Sequence, residues 1–163
     1  MLNERKRNLT IAIKKQLNCC YEYCNKMDKN GLSEILDRSM KEQCENDIII
    51  TSLFFSMADD VVREEEAEIL NCLFDANLTA FQYKSIYEDA KVNRESFVNR
   101  RILTFEIAKM LDDTLKTNHV VVKMFIELFI NVAKAIAVVD GDVDKDEISS
   151  IAAFQANLER KYL

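Results

Sequence analysis

Turn-forming residues are scarce in this chain, whose 163 residues include no proline and two glycines, Gly31 and Gly141. Turn-rich β-sandwiches and glycine-cradled nucleotide folds need many more of these residues. Because the two glycines are far apart, a P-loop, a dinucleotide-binding GxGxxG turn and a nucleophile elbow are all excluded. The sequence therefore predicts an all-α protein built from long helices.

Apolar residues recur at steps of three and four along most of the chain, which is the spacing of a buried helix face. Thr79 and Gln82 form a capping box, and the segment after Asn118 is apolar almost all round, so we expect it to be the buried central helix. Since no stretch has the composition of a linker, we predict one compact domain over residues 1–163, a bundle of seven to eight helices. The expected helices cover approximately residues 9–27, 33–40, 47–57, 64–76, 80–90, 95–115, 118–139 and 145–160.

The chain contains an internal pseudo-repeat, because residues 48–76 align with residues 129–157 at an offset of 81 without gaps. In each copy an apolar helix stops, an acidic turn follows, and an amphipathic helix begins with acidic residues. Asp59 matches Asp140, and Glu66 matches Glu147. Identity is low, but the order of features is the same.

Negative charge is concentrated in these two turns and the helices after them. Residues 59–75 carry a net charge of −6 and residues 140–159 a net charge of −5, whereas the whole chain carries −6. The remaining residues therefore sum to +5. An acidic protein of this kind is not expected to bind nucleic acid, whose phosphates require a basic surface.

The two turns share one pattern: Asp, a turn residue, a free position, Val, and Glu four places after the Val. Gly141 permits a positive φ, and Asp60 is one of the few residue types that tolerate one. We expect the Val to anchor each turn on the core. Carboxylates that converge on a helix N-terminus make an oxygen-rich environment suited to Ca²⁺ or Mg²⁺.

The same acids also have a purely structural explanation. Asp144 followed by Glu147 fits a capping box, and acids in a first helical turn are favoured by the helix dipole without any metal. The second turn begins like an EF-hand, but Lys145 stands at its sixth position and Ile151 at its twelfth, so it is not one. Helix capping and cation binding both remain open on spacing alone.

The paired [AV]-D-[GD]-x-V-x-x-x-E motifs, about 80 residues apart in a helical chain, resemble the TerB-like family, named after tellurite resistance. The resemblance covers roughly residues 45–160, and residues 1–44 match least well. Asp60 stands where the first motif of the family usually has Gly. The resemblance implies a compact helical bundle in which the two acidic turns lie close together.

Divalent cation binding is the property that the resemblance implies for these turns, with Ca²⁺ favoured and Mg²⁺ second. Carried onto this sequence, the implied metal ligands are Asp59, Glu66, Asp140 and Glu147, with Asp142 assisting. The implied function is a non-enzymatic interaction module in a bacterial stress or defence response, acting with a protein partner. Two alternatives are a metal-independent partner-binding or immunity-type protein that uses its acidic surface, and a metal-dependent hydrolase.

Cysteine and histidine offer a further metal hypothesis, which the spacing does not favour. Cys19, Cys20, Cys24, Cys44 and His119 would have to assemble a zinc site over long distances, without a CxxC pair. Small cysteines on apolar stripes are more often core residues. We expect His119 to lie exposed near a helix start, with no nucleophile to activate.

Five cysteines at irregular spacing are typical of a reducing compartment, so we expect a cytoplasmic protein. No apolar run is long enough for a transmembrane segment, and the N-terminus does not read as a signal peptide. The basic first helix carries Arg5, Lys6, Arg7, Lys14 and Lys15. Peripheral contact with an anionic membrane is one interpretation, but a solvated helix face is favoured over it.

Overall fold

The protein is an all-α bundle. The computed structural model describes residues 2–57, 60–139 and 144–163, and within these ranges it contains eight α-helices, one short 3-10 helix and no β-strand. This confirms the predicted fold class. The α-helices are α1 (Glu4–Lys29), α2 (Leu32–Leu36), α3 (Met40–Ser56), α4 (Glu64–Phe74), α5 (Ala80–Asp89), α6 (Leu103–Leu115), α7 (Val120–Ala137) and α8 (Lys145–Tyr162), and the 3-10 helix is Phe97–Asn99.

Helix α7 lies at the centre of the bundle, as its all-round apolarity predicts. It packs against α1, α3, α6 and α8, and twelve of its side chains are buried. Helix α3 is its principal neighbour and is itself buried on almost every side from Asp47 to Ser56. The buried side chains of all the long helices form one continuous cluster. In the described ranges no helix has the length and apolarity that crossing a membrane requires.

Helix α1 completes this core instead of lying apart from it. Its apolar stripe of Ile13, Leu17, Cys20, Cys24 and Met27 is buried against α3, α4 and α7. The stripe ends at Asn30 and Gly31, as predicted, and Gly31 has the positive φ of 92° at which α2 begins. The face that an amphipathic membrane helix would insert into lipid is therefore occupied by the core.

The internal repeat is reproduced in the helix boundaries. Helices α3 and α7 end at Ser56 and Ala137, and helices α4 and α8 begin at Glu64 and Lys145, both pairs at the offset of 81 read from the sequence. The contacts are also reciprocal, because α4 contacts α7 while α8 contacts α3. The second helix of each copy thus packs on the first helix of the other copy.

The predicted boundaries of the second and third helices are wrong. Helix α2 is a short helix of residues Leu32–Leu36 that begins after Gly31, whereas the spacing predicts a helix over 33–40. Helix α3 begins at Met40 and not near Asp47, because the Ser39 hydroxyl accepts a hydrogen bond from the backbone N–H of Glu42 at 3.1 Å. Met40 belongs to α3, where it is fully buried.

The predicted start of the sixth helix is also wrong, since α6 begins at Leu103 and not near Glu95. The Asn93 side chain accepts a hydrogen bond from the backbone N–H of Glu95 at 3.0 Å, which is an Asx turn that competes with helix. Phe97 then enters the 3-10 helix and is buried among other aromatic rings. Local polar contacts and a tertiary aromatic cluster together override the helical spacing.

Candidate functional site at the two acidic turns

Two of the five predicted metal ligands lie within the described residues. Glu66 is in the first turn of α4, and Glu147 occupies the corresponding position in α8. Asp59, Asp140 and Asp142 fall outside the described residues, as does Val143. The geometry of the site is therefore built from the residues that flank the two turns.

The first turn has the backbone that its sequence predicts. Asp60 has a positive φ of 61°, the conformation for which the second copy has Gly141 in its sequence. Its N–H donates to the carbonyl of Met57 at 2.9 Å, which closes the end of α3. Val62 is 9% exposed and packs in the core, as expected of an anchor.

Glu66 is buried, with 3% of its surface exposed, and it acts as a helix cap. Its Oε2 accepts the backbone N–H of Arg63 at 3.3 Å, and its Oε1 lies 3.7 Å from the Arg63 guanidinium. A carboxylate that receives the N–H before the first helical turn satisfies one of the donors that a helix start leaves unpaired. These contacts support the explanation that Glu66 is a helix cap. The same carboxylate lies in the first turn of α4.

Asp144 caps α8 in the second copy. Its side chain accepts the backbone N–H of Asp146 at 2.8 Å and that of Glu147 at 3.4 Å. Glu147 is half-buried at this helix start. Both copies thus place a Glu carboxyl in the first turn of the helix that follows the turn.

Helices α1 and α4 run in the same direction, which places the acidic turns relative to the rest of the bundle. The Lys14 ammonium pairs with Asp75 at the end of α4. A groove of 570 Å³ between the two helices is lined by Leu2, which precedes α1, and by Glu68 in the first half of α4. No residue of α1 beyond Lys14 lines this groove. An antiparallel α4 would instead bring Glu68 beside the later part of α1. The start of α4 therefore lies toward the start of α1.

The end of α7 lies at the same level. The Lys6 ammonium in α1 donates a hydrogen bond to the carbonyl of Val139, the last described residue before the second turn. Lys6 precedes Lys14 by eight residues and Glu66 precedes Asp75 by nine, which is about 12–14 Å along either helix. Glu66 and Val139 are thus brought to the same end of the bundle, beside the start of α1.

The described residues contain no group of three or more His, Cys, Asp or Glu side chains arranged to hold an ion. All five residues of the zinc hypothesis are among these described residues. Cys20, Cys24 and Cys44 are buried, and Cys19 is exposed. The His119 Nδ1 lies 3.1 Å from the Lys109 ammonium on α6. The buried cysteines of this hypothesis belong to the core cluster.

The buried thiols behave as core residues. Burial raises the pKa of Cys20 to about 12, with Cys24 and Cys19 adding to the effect. The pKa of Cys44 is raised well above its ordinary value by its hydrogen bond with Cys24 and by burial. Because a thiolate is the reactive form, these thiols are inert packing groups.

Two buried carboxylates were not predicted from the sequence. Asp47 in α3 accepts hydrogen bonds from the backbone N–H of Thr104 at 3.1 Å and from the Thr104 hydroxyl at 2.6 Å. It also accepts one from the side-chain amide of Gln43 at 3.1 Å. Asp112 in α6 accepts backbone N–H groups at the start of α7. Both join separate helices, and a carboxylate next to an apolar residue on a helix is too common a pattern to identify such a contact.

Comparison with protein-family models, with curated proteins and with solved structures finds no match for this chain.

Proposed function

We propose that this protein is a non-enzymatic, TerB-like interaction module that binds a divalent cation, with Ca²⁺ favoured and Mg²⁺ second, through its two acidic turns. The observation that supports this proposal is the placement of Glu66 and Val139 at the same end of the bundle, beside the start of α1. The proposed ligands are Asp59, Glu66, Asp140, Asp142 and Glu147. Oxygen ligands of this kind are those that Ca²⁺ and Mg²⁺ prefer.

The proposed mechanism is electrostatic. Two segments of net charge −6 and −5 repel each other when they share one end of the bundle. A cation bound between them cancels that repulsion and stiffens the junction between the two copies. The stiffened acidic end would then be the surface that a protein partner recognises, in a cytoplasmic bacterial stress or defence response as the family resemblance implies.

Binding is favoured over catalysis by the state of the reactive side chains. The only histidine, His119, contacts Lys109, and three of the five thiols are buried with the pKa of two of them raised. An acid–base or nucleophilic enzyme requires such a group to lie in a cleft beside its activating partner.

Thermal unfolding of chelator-stripped protein, with and without millimolar Ca²⁺, Mg²⁺ or Zn²⁺, tests the proposal. A cation at a hundred times its Kd stabilises the folded state by about 2.7 kcal/mol when only that state binds, which for a chain of this size raises Tm by about 5–10 °C. We expect this rise with Ca²⁺, and its loss in Glu147→Gln and Asp140→Asn. The matched control is Glu159→Gln, which removes one charge from the same helix about 18 Å away. If no metal raises the Tm of the wild-type protein, the cation proposal is wrong.

A second candidate is a metal-independent partner-binding protein, and the capping role of Glu66 favours it. Since that carboxylate already contacts Arg63, the acids of the first copy have a structural role without an ion. Glu64 and Glu65 are exposed beside it and are available to a basic partner. This candidate predicts association that weakens steeply with salt in metal-free buffer, and that Glu64→Gln and Glu65→Gln weaken it further.

A further inference from the structure

The internal repeat identifies a second helix-binding groove that the chain itself only partly fills. Helix α1 contacts both α4 and α7, and these two helices contact each other, so α1 lies in the groove between them. At the repeat offset, the counterparts of α4 and α7 are α8 and α3, which also contact each other. The counterpart of the α1 groove is therefore the groove between α8 and α3.

A short segment, residues 94–98, occupies this second groove, whereas a full helix lies in the first and leaves a cavity of 570 Å³ beside it. The Phe97 ring stacks on Phe54 of α3, with 3.7 Å between centroids and 9° between planes, and lies 5.6 Å from the ring of Phe154 on α8. A cavity of 270 Å³ remains open beside these rings. Next to it, Val98 is 51% exposed and borders a second cavity of 240 Å³. We name this surface the aromatic groove and define it by Phe54, Arg94, Phe97, Val98, Ala153 and Phe154.

The side of α8 that borders the aromatic groove is exposed at a position where the corresponding residue of α4 is buried. Ile69 on α4 is 1% exposed, whereas its counterpart Ser150 is exposed and lines the cavity. The acids of α4 that line the α1 groove, Glu68 and Asp75, correspond to Ser149 and Ala156. The aromatic groove therefore lacks the carboxylates that face the basic side chains of α1.

The charge around the aromatic groove is instead positive. Its two cavities are lined, among the described residues, by three cations and one carboxylate, namely Arg94, Arg160, Lys161 and Glu95. Lys161 already pairs with the Glu106 carboxylate at 3.6 Å, which leaves Arg94 and Arg160 for a partner. The Arg94 guanidinium lies 4.4 Å from the centre of the Phe54 ring and donates to two neutral oxygens, the Tyr87 hydroxyl and the Phe54 carbonyl, both at 2.9 Å. Arg94 is thus held rigidly at the rim with its charge available to a partner.

We infer that the aromatic groove is the docking site for an amphipathic helix of a partner protein, one that carries an apolar stripe and acidic flanks. The apolar stripe would pack on the exposed part of this surface, at Phe54, Val98 and Ala153, and the acidic flanks would face Arg94 and Arg160. The α1 helix of a second copy does not fit this description, because its N-terminal half is basic. This inference is independent of the cation site.

The test uses two fluorescent helical peptides of roughly 18 residues with the same leucine stripe, one with glutamate flanks and one with lysine flanks. We expect the glutamate peptide to bind the full-length protein by fluorescence anisotropy, and Ala153→Arg and Arg94→Gln each to weaken it by about tenfold. Ala153 is exposed, so its substitution should leave folding intact. The matched control is Ala12→Arg on the exposed face of α1, which should bind as the wild type does.

Three results would overturn the inference. One is equal binding of the two peptides, and another is binding that Ala153→Arg leaves unchanged while circular dichroism shows an intact fold. The third is self-association by light scattering that Ala153→Arg abolishes, which would make a second copy the occupant.

Discussion

Asp112, in the last turn of α6, caps the first turn of α7 by accepting the backbone N–H of Val122 at 2.8 Å. Its other carboxylate oxygen accepts the N–H of Val121 at 2.9 Å and the hydroxyl of Thr117. The carboxylate is 2% exposed. Asn118 and His119, which directly precede α7, have positive φ values of 50° and 69°. The central helix therefore receives its N-terminal cap from the previous helix, across the turn.

Replacing Asp112 with Ala should destabilise the protein by about 2–3 kcal/mol, because hydrogen bonds to a charged group are strong and the buried N–H groups would lose their acceptor. Urea unfolding followed by circular dichroism measures this loss. The control is Asp113→Ala, whose exposed carboxylate pairs with Lys109 at 3.2 Å and should change stability by less than about 1 kcal/mol. Equal losses in the two variants would contradict the capping role.

The contribution of Asp112 should disappear in acid. Burial acts to raise the pKa of Asp112, but the hydrogen bonds from Thr117, Val122 and Val121 outweigh it and hold this pKa below the ordinary value. A group with a lowered pKa stabilises the fold above its unfolded-state pKa and loses that contribution as pH falls. The stability difference between wild type and Asp112→Ala should therefore shrink below about pH 4. A difference that stays constant down to pH 2.5 or so would contradict this prediction.

Asp47 should show the opposite dependence. Burial raises its pKa, and the hydrogen bonds from Thr104 and Gln43 only partly offset this effect. A raised pKa means that protonation favours the folded state, so stability is lost as pH rises through the folded-state pKa. We expect Asp47→Asn, an isostere of the protonated form, to gain stability relative to wild type as pH rises above about 4. Urea unfolding at a series of pH values checks this, and a falling relative stability would contradict it.

Thiol accessibility should divide the cysteines into two exposed and three buried groups. Cys19 and Cys72 are exposed, whereas Cys20, Cys24 and Cys44 are at most 1% exposed. A thiol reagent such as DTNB at pH 8 or so should therefore label two thiols rapidly in the native protein and all five in denaturant. A Cys19→Ser, Cys72→Ser double variant should show no fast phase. A fast phase that survives in that variant would mean that α1 and α3 separate readily.

The capping box at the start of α5 should be worth about 1 kcal/mol. The Thr79 hydroxyl accepts the N–H of Gln82 at 3.1 Å, and the Gln82 side chain accepts the N–H of Thr79 at 2.8 Å. Thr79→Ala removes the first of these bonds, and chemical denaturation measures the cost. Thr114→Ala is the control, because the Thr114 hydroxyl bonds within its own helix to the Met110 carbonyl, and its loss should cost less than about 0.5 kcal/mol.

Periodicity and capping rules are sufficient to predict which faces of the helices are buried. The capping box at Thr79, the all-round burial of α7, the positive φ of Asp60 and the anchoring of Val62 are all confirmed. The apolar stripe of the first helix is confirmed from Ile13 to Met27, but Leu9, with which the helical spacing begins it, is 43% exposed. Each depends on residues within a few turns of one another, where periodicity and capping rules apply. The ends of α3 and α7 and the starts of α4 and α8 also keep the offset of 81 that the sequence repeat predicts.

How those faces pack against one another depends on contacts between helices, which the sequence pattern does not specify. Four contacts join residues that are distant in sequence or on separate helices: the Phe97 cluster, before which the sixth helix does not start, the Asp112 cap on α7, the Asp47 contact with Thr104, and the Lys6 contact with Val139. Such contacts depend on the relative placement of whole helices, which a helical period does not specify, because every buried stripe has several possible partners of equal apolarity. The sequence therefore predicted the acidic turns and their acids, while the packing of α1 against α4 and α7 placed the flanks of those turns at one end of the bundle.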